Sequence, residues 1–270
     1  MHLADRDAPS AALPLAALAD RLTRDGDGFA LHGAAGWMQG RTMYGGASSF
    51  IAYLAATRAF PDLPPLLAAQ IGFVGPVGED VAARATMLRA GKSVSHVETS
   101  LYDGDALVHR AVWLFGSARE SNGAVPAQRV SDVPAPEQCE ELFPQSPEMV
   151  FIRRMEIRRA DPGDGAGRAA WRRWVRLRER PGLDRVAEMI AIGDTLPPGA
   201  VRATLRRGPL SSINWSLTLL GDRPETRDGW WLLETASNHM ADGFSSETLK
   251  MWNTDGVEVM RGLQSVAVFG

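Results

Sequence analysis

The sequence predicts an α+β protein made of two tandem repeats, each a long buried helix wrapped by an antiparallel sheet. Three observations predict it. The chain repeats itself internally, each repeat carries one broad apolar helical stretch, and a proline-rich stretch separates them. The repeat aligns Leu88–Val112 with Met240–Gln264 at an offset of 152 residues. Gly91 then falls on Gly243, Gly104 on Gly256, Ser93 on Ser245, Leu101 on Asn253 and Asp103 on Asp255. In both copies an extended run reaches an Asp-Gly pair and another extended run follows, the sequence mark of a hairpin.

The elements follow in order. Phe29–His32 reads as a short strand. Gly45–Phe60 reads as a helix, because Ala47, Phe50, Ile51, Leu54 and Ala55 recur at the 3.6-residue period and Pro61 stops it. Ala68–Val74 and Val81–Leu88 read as strands, and Ser93–Tyr102 and Ala106–Phe115 flank the Asp103-Gly104 turn. Pro126, Pro134, Pro136, Pro144 and Pro147 mark residues 118–150 as a linker. The second copy opens with Trp174–Arg178, whose apolar and charged residues alternate as on a strand. Leu183–Leu196 is its helix, with Leu183, Val186, Ala187, Ile190 and Ala191 on one face and Pro197-Pro198 as the stop. Strands over Ser211–Leu220, Trp230–Ala236, Ser245–Asn253 and Val257–Phe269 complete it. Both helical stripes are wide and carry little charge, as expected of helices enclosed by a sheet. The expected units are residues 1–117, a linker 118–150, and residues 151–270.

Composition excludes several classes. The 270 residues carry 29 basic and 32 acidic side chains, a formal charge of −3, which argues against a nucleic-acid partner. Cys139 is the single cysteine, so no intramolecular disulfide and no cysteine-based metal centre is expected. No apolar window of ~18 residues suits a membrane-spanning helix. Charges interrupt the N-terminal MHLADRDAPS before any long apolar run, so a cytoplasmic protein is expected. The strings GASSF and GFSSE lack the second glycine of a G-x-S-x-G elbow, and neither a phosphate loop nor H-E-x-x-H occurs. Gly26, Gly28 and Gly33 are too widely spaced for a dinucleotide fingerprint. His2, His32, His96, His109 and His239 show no i, i+3 or i, i+4 pairing, so no metal site is expected. The sequon Asn214-Trp215-Ser216 reads as a chance match.

The pattern resembles the double hotdog acyl-CoA thioesterases of the thioesterase II, or TesB-like, type. The likeness runs from about Phe29 to Gly270. Gly45-Gly46 and Ala55-Ala56 are similar to the family's G-G-x-x-x-A…A-A helix, Phe73-Val74-Gly75-Pro76 to its F-L-x-P strand, and Arg89-Ala90-Gly91-Lys92-Ser93 to its R-x-G-[RK]-S turn. In the second half, Ala191-Ile192-Gly193-Asp194 is similar to A-x-x-D, and Ser212-Ile213-Asn214 stands at the S/T-[IL]-D strand. Gly262-Leu263-Gln264-Ser265 stands where the family carries a glutamine. The resemblance implies a double hotdog fold, hydrolysis of acyl-CoA without a cofactor or metal, and a catalytic trio of Asp194, Ser212 and Gln264. Three departures stand out: Ser212 for threonine, Asn214-Trp215 for Asp-His, and Ser265-Val266 for Glu-Gly.

The residue types suit the chemistry. Thioester hydrolysis needs an activated water and a stabilised oxyanion, and no nucleophile–base pair is visible in the sequence. Asp194, ending an apolar helix, is expected to act as a general base, with a pKa that burial and the helix end would both raise. Gln264 and Ser212 supply the donors and acceptors to hold the water. Backbone N–H groups at the Gly45-Gly46 helix start would meet the oxyanion, with the site shared between halves. Asp194, Gln264 and Gly45-Gly46 also have purely structural readings, as turn or core residues. Arg153-Arg154, Arg158-Arg159, Arg172-Arg173 and Arg206-Arg207 are either CoA phosphate contacts or solvated pairs. Trp230-Trp231 and Trp252 are expected in the core or a subunit interface, and a homo-oligomer is expected. A hotdog dehydratase or hydratase would need a helical histidine, which both helices lack. A non-catalytic acyl-CoA-binding protein on the same fold is the other alternative.

Overall fold

A computed structural model describes residues 13–131, 133–143, 147–161, 169–180, 182–205, 208–221 and 224–269. The first half runs α1 (Leu15–Asp20), β1 (Thr23–Asp25), β2 (Gly28–Leu31), β3 (Met38–Gln39), β4 (Thr42–Met43), α2 (Gly45–Ala59), β5 (Leu66–Phe73), β6 (Val81–Ala90), β7 (Val94–Asp103) and β8 (Ala106–Gly116). The second half runs β9 (Glu141–Leu142), β10 (Met155–Arg159), β11 (Ala170–Leu177), α3 (Arg185–Gly193), β12 (Leu210–Leu219), β13 (Trp231–Ala241), β14 (Phe244–Trp252) and β15 (Glu258–Val268). The sequence-based helices and strands are all present, with ends moved by a few residues.

One antiparallel sheet of 13 strands holds both halves, in the order β1-β2-β6-β7-β8-β5-β12-β15-β14-β13-β11-β10-β9. The halves meet where β5 pairs with β12, Ile71 opposite Trp215. Outward from that seam the order is β5-β8-β7-β6-β2 on one side and β12-β15-β14-β13-β11 on the other, so the halves relate by an approximate twofold. The central helices lie inside the curved sheet and pack on each other. Phe50, Ile51 and Ala55 of α2 and Met189, Ile190 and Ala191 of α3 are fully buried. A stripe of small side chains on α2 lets the helices approach closely, and Gly46 abuts the Ala191 carbonyl.

The β-bulges give the correspondence between halves. Leu88 is the extra residue on β6 and Asn238 on β13, 150 residues apart. Val108 on β8 matches Val259 on β15, 151 apart. The glycine alignment at 152 is thus displaced by one or two residues. Strand side chains alternate faces with period two, so the slip of two on β6 and β13 leaves their inward set unchanged, while the slip of one on β8 and β15 exchanges the faces and sets Trp113 against Ser265 in place of Gln264. With the bulges aligned, the row Met87–Val97–Trp113 corresponds to Ser237–Glu247–Gln264. Trp113 takes the place of Gln264 in the first half, and its ring packs edge-on against Tyr53.

The turns obey the chemistry of their residues. Asp103 pairs with Ala106 across a Gly104-Asp105 turn, with Gly104 at φ 56°. Asp255-Gly256 sits in a longer loop, organised by Asn253 Oδ1, which accepts from the Asp255 and Val257 N–H groups at 3.1 and 2.9 Å. Described parts of the proline-rich stretch pack on the second half. Val130, Val133 and Cys139 pack on a second apolar cluster of Ala160, Trp174, Trp230, Leu232 and Trp252. The Trp174 indole donates to Pro134 O at 2.9 Å. Its apolar residues are too few and too scattered to show a period, yet Val130, Val133 and Cys139 help bury a tryptophan cluster of the second half. Trp231 lies in the main core beside Glu188, to which its indole donates at 3.2 Å.

Candidate active site

Asp194 caps the C-terminal end of α3, with φ −100° and ψ 15°. Gln264, on the inward face of β15 and 5% exposed, donates from Nε2 to Asp194 Oδ1 at 3.0 Å. The other carboxylate oxygen faces α2. A Cβ on Gly45 would collide with Asp194 Oδ2 and come within 3.1 Å of the Phe73 ring. The two halves therefore meet at one carboxylate: α3 and β15 hold it, and the first turn of α2 lies against it. That turn leaves its N–H groups without partners inside the helix, and the positive end of the α2 dipole points at the site.

Environment decides the protonation of Asp194. Burial pushes its carboxyl up to about 7, and the Gln264 hydrogen bond pulls the other way. Among the described residues this is a carboxylate poised near neutrality in the middle of the molecule. Gln264 keeps its place because Trp215 pairs across from it on β12 and Glu247 on β14. The Trp215 indole is fully buried and packs under Gly193 at the last turn of α3.

Ser212 is placed by a bulge. It pairs with Val266, and Asn214 pairs with Ser265, so Ile213 is the extra residue. Val266 and Gln264 both belong to the buried row of β15, and the bulge puts Ser212 opposite that row instead of on the outer face. Asn214 Oδ1 accepts from Ser265 N at 2.8 Å, tying the two departures from the family pattern to each other. Asp194, Gln264 and Gly45 are thus in direct contact. Ser212 is near the same row, but among the described residues it hydrogen-bonds to neither Asp194 nor Gln264.

Sequence reasoning missed three features. Tyr44, the residue before Gly45, is buried and donates from its hydroxyl to Ala191 O at 2.7 Å. Phe73 walls the site beside Gly45. Ser49 Oγ lies 3.3 Å from His109 Nε2, a buried serine–histidine pair whose members are 60 residues apart and carry no local signal. Burial pushes the His109 ring down to about 3, so it is neutral at physiological pH. It packs edge-on against Phe73, with centroids 5.7 Å apart.

The arginine pairs are largely committed within the protein. Arg158 binds Glu156 at 2.6 Å, Arg172 binds Glu234 at 2.5 Å, Arg159 binds Glu140 at 3.2 Å, and Arg173 pairs with Asp161. Arg206-Arg207 lies outside the described residues. Among the described residues, no group of three or more His, Cys, Asp or Glu side chains converges to hold a metal ion. No helix among them is long and apolar enough to cross a membrane.

Comparison with known proteins agrees with this fold. Residues 34–116 match the acyl-CoA thioesterase N-terminal domain, and residues 136–268 match the acyl-CoA thioesterase C-terminal domain. A conserved protein of unknown function with a hot dog fold from Alicyclobacillus acidocaldarius superposes with a TM-score of 0.83 at 21% identity, over 94% of this chain and 98% of that one. The TesB protein of Mycobacterium avium subs paratuberculosis superposes with a TM-score of 0.77 at 20% identity, over 95% and 98% of the two chains. The acyl-CoA thioesterase II TesB2 of Mycobacterium marinum gives 0.75 at 13% identity, over 94% and 98%. No curated protein matches the chain in sequence. With both thioesterase domains in tandem, and one sheet closing around two central helices, this chain belongs to the double hotdog acyl-CoA thioesterase family.

Proposed function

We propose that acyl-CoA hydrolysis takes place between the end of α3 and the start of α2, with Asp194 as the general base. The observation that carries this reading is the Asp194 carboxylate, held by Gln264 on one oxygen and set against Gly45 on the other. Asp194 takes a proton from a water, and the resulting hydroxide attacks the thioester carbonyl carbon. Gln264 orients the carboxylate, and Ser212, on the neighbouring strand, contributes its hydroxyl to the water. The α2 N–H groups stabilise the oxyanion of the tetrahedral intermediate. Collapse breaks the C–S bond, the proton passes from Asp194 to the CoA sulfur, and free acid and CoA leave. Release of free thiol from a panel of acyl-CoAs, read with a thiol-reactive dye, tests it. Binding of acyl-CoA without thiol release would leave a binding protein instead.

A base with a pKa of about 7 predicts the pH profile. kcat/KM rises with pH, reaches half its maximum near pH 7 and levels off above. Because the Gln264 hydrogen bond lowers the Asp194 pKa, Gln264→Leu moves the midpoint upward as well as slowing turnover. A profile with its midpoint near 4, the ordinary carboxylate value, would remove Asp194 from the role.

The reading extends to organisation. The units 1–117 and 151–270 act together because the site draws on both, with 118–150 joining them. A cytoplasmic homo-oligomer acting in fatty acid metabolism suits an acyl-CoA hydrolase with a lone thiol at Cys139. Light scattering that gives the monomer mass of 29.2 kDa would reject the oligomer.

A further inference from the structure

The carbonyls of a helix's last turn lack partners within the helix. At the end of α3 one of them, Ala191 O, is met from the other half of the molecule by the Tyr44 hydroxyl at 2.7 Å. The same hydroxyl lies 3.2 Å from Thr195 Oγ1, and Thr195 Oγ1 donates onward to Ile192 O at 2.6 Å. Tyr44 is also the residue from which α2 starts. Its carbonyl accepts from the Ala47 and Ser48 N–H groups at 2.9 and 3.0 Å. Its ring is stacked on Phe151, with centroids 3.9 Å apart and planes within 3°. Tyr44 is 1% exposed, and burial, then the nearby Asp194 charge, raise its pKa well above the ordinary phenol value, so the hydroxyl stays protonated as a donor.

One side chain therefore touches both parts of the candidate site. We propose that Tyr44 is a positioning residue: by bridging Ala191 and Thr195 on either side of Asp194, while starting the helix that carries Gly45, it fixes the carboxylate against the first turn of α2. This goes beyond the proposed function and rests on Asp194 being the base. Distance to the α2 N–H groups then depends on a phenol that itself never meets substrate. Among the described residues, Gln264 hydrogen-bonds Asp194, Gly45 abuts its other oxygen, and the neutral Tyr44 phenol lies near it. Burial and the Gln264 amide are thus the determinants of its protonation, and both depend on where the end of α3 sits.

Tyr44→Phe tests the proposal, since it keeps the ring stack and removes one oxygen. Two measurements are made on the full chain. Turnover is expected to fall roughly ten- to a hundredfold, in line with the cost of about 1 Å of misplacement, with KM little changed. The Asp194 carboxyl ¹³C resonance, assigned by its loss in Asp194→Asn, is titrated directly. Its midpoint is expected to move below the wild-type value of about 7 as the unpinned helix end admits water. Thr195→Val, which removes the second partner of the phenol, is expected to shift the midpoint the same way by less, and it decides the matter if Tyr44→Phe does not fold. A lowered melting temperature with wild-type turnover and an unmoved Asp194 midpoint would overturn the proposal and leave Tyr44 as packing. The resonance needs no turnover, so it reports on Tyr44 even if Asp194→Asn proves fully active and the assignment of the base fails.

Discussion

Asp194→Asn is expected to reduce hydrolysis of every acyl-CoA by about 10²–10⁴-fold, the usual worth of a positioned general base. The substitution keeps shape and can keep the Gln264 contact, since the asparagine carbonyl accepts where Oδ1 did. What it removes is the ability to hold a proton taken from water. Binding of acyl-CoA should survive, because the walls formed by Phe73 and the start of α2 are untouched. The same variant has a second expected signature. Burial raises the native Asp194 pKa from 3.8 to about 7, so between those values the folded chain holds a proton that the unfolded chain releases. The unfolded state then binds fewer protons, and this residue's contribution to stability falls as pH rises from about 4 to about 7. Asparagine carries no such penalty. Thermal melts should show Asp194→Asn more stable than wild type at pH 8 and nearly equal to it at pH 4. A variant that releases thiol at the wild-type rate would mean that another group takes the proton.

The sequence made the helices and strands legible because the repeat rests on periodicity, which tolerates error. The two central helices announce themselves by wide apolar stripes with proline stops, and their expected ends lie within a few residues of the observed ones. The family pattern singles out Asp194 and Gln264, at the end of one helix and at one inward strand position, and the structure brings the two side chains together. Local pattern cannot supply distances between elements, and these decide the rest. The bulge at Ile213 that sets Ser212 opposite the inward row leaves no mark in composition. His109 looks like any strand histidine until α2 places Ser49 against it. Tyr44 reads as one more apolar residue ahead of two glycines, and its hydroxyl acquires meaning from Ala191, 147 residues later. The packing of the connection between halves is hidden for the opposite reason. Its prolines say that it is neither helix nor long strand, and that is true, but they are silent about the tryptophans it covers.

Gly45→Ala is expected to slow turnover by roughly 10²-fold although it lies in the half without Asp194. The added methyl group would meet Asp194 Oδ2 and the Phe73 ring, so the carboxylate must swing off the first turn of α2 or the helix start must retreat. Either movement separates the proposed base from the N–H groups proposed to face the oxyanion. The neighbouring glycine is a poorer probe. A side chain at Gly46 would strike the Ala191 carbonyl and the Tyr44 ring, neither of which can yield without parting the two helices. Gly46→Val should therefore lower the melting temperature sharply, and a loss of turnover there would be ambiguous. At Gly45 the obstacle is the far end of a side chain, so the fold should hold while the chemistry fails. Turnover, KM and thermal melting measured together separate the two. A well-folded Gly45→Ala protein with wild-type turnover would place the reacting thioester away from the seam between α2 and α3, and the contact of Gly45 with Asp194 would then be packing alone.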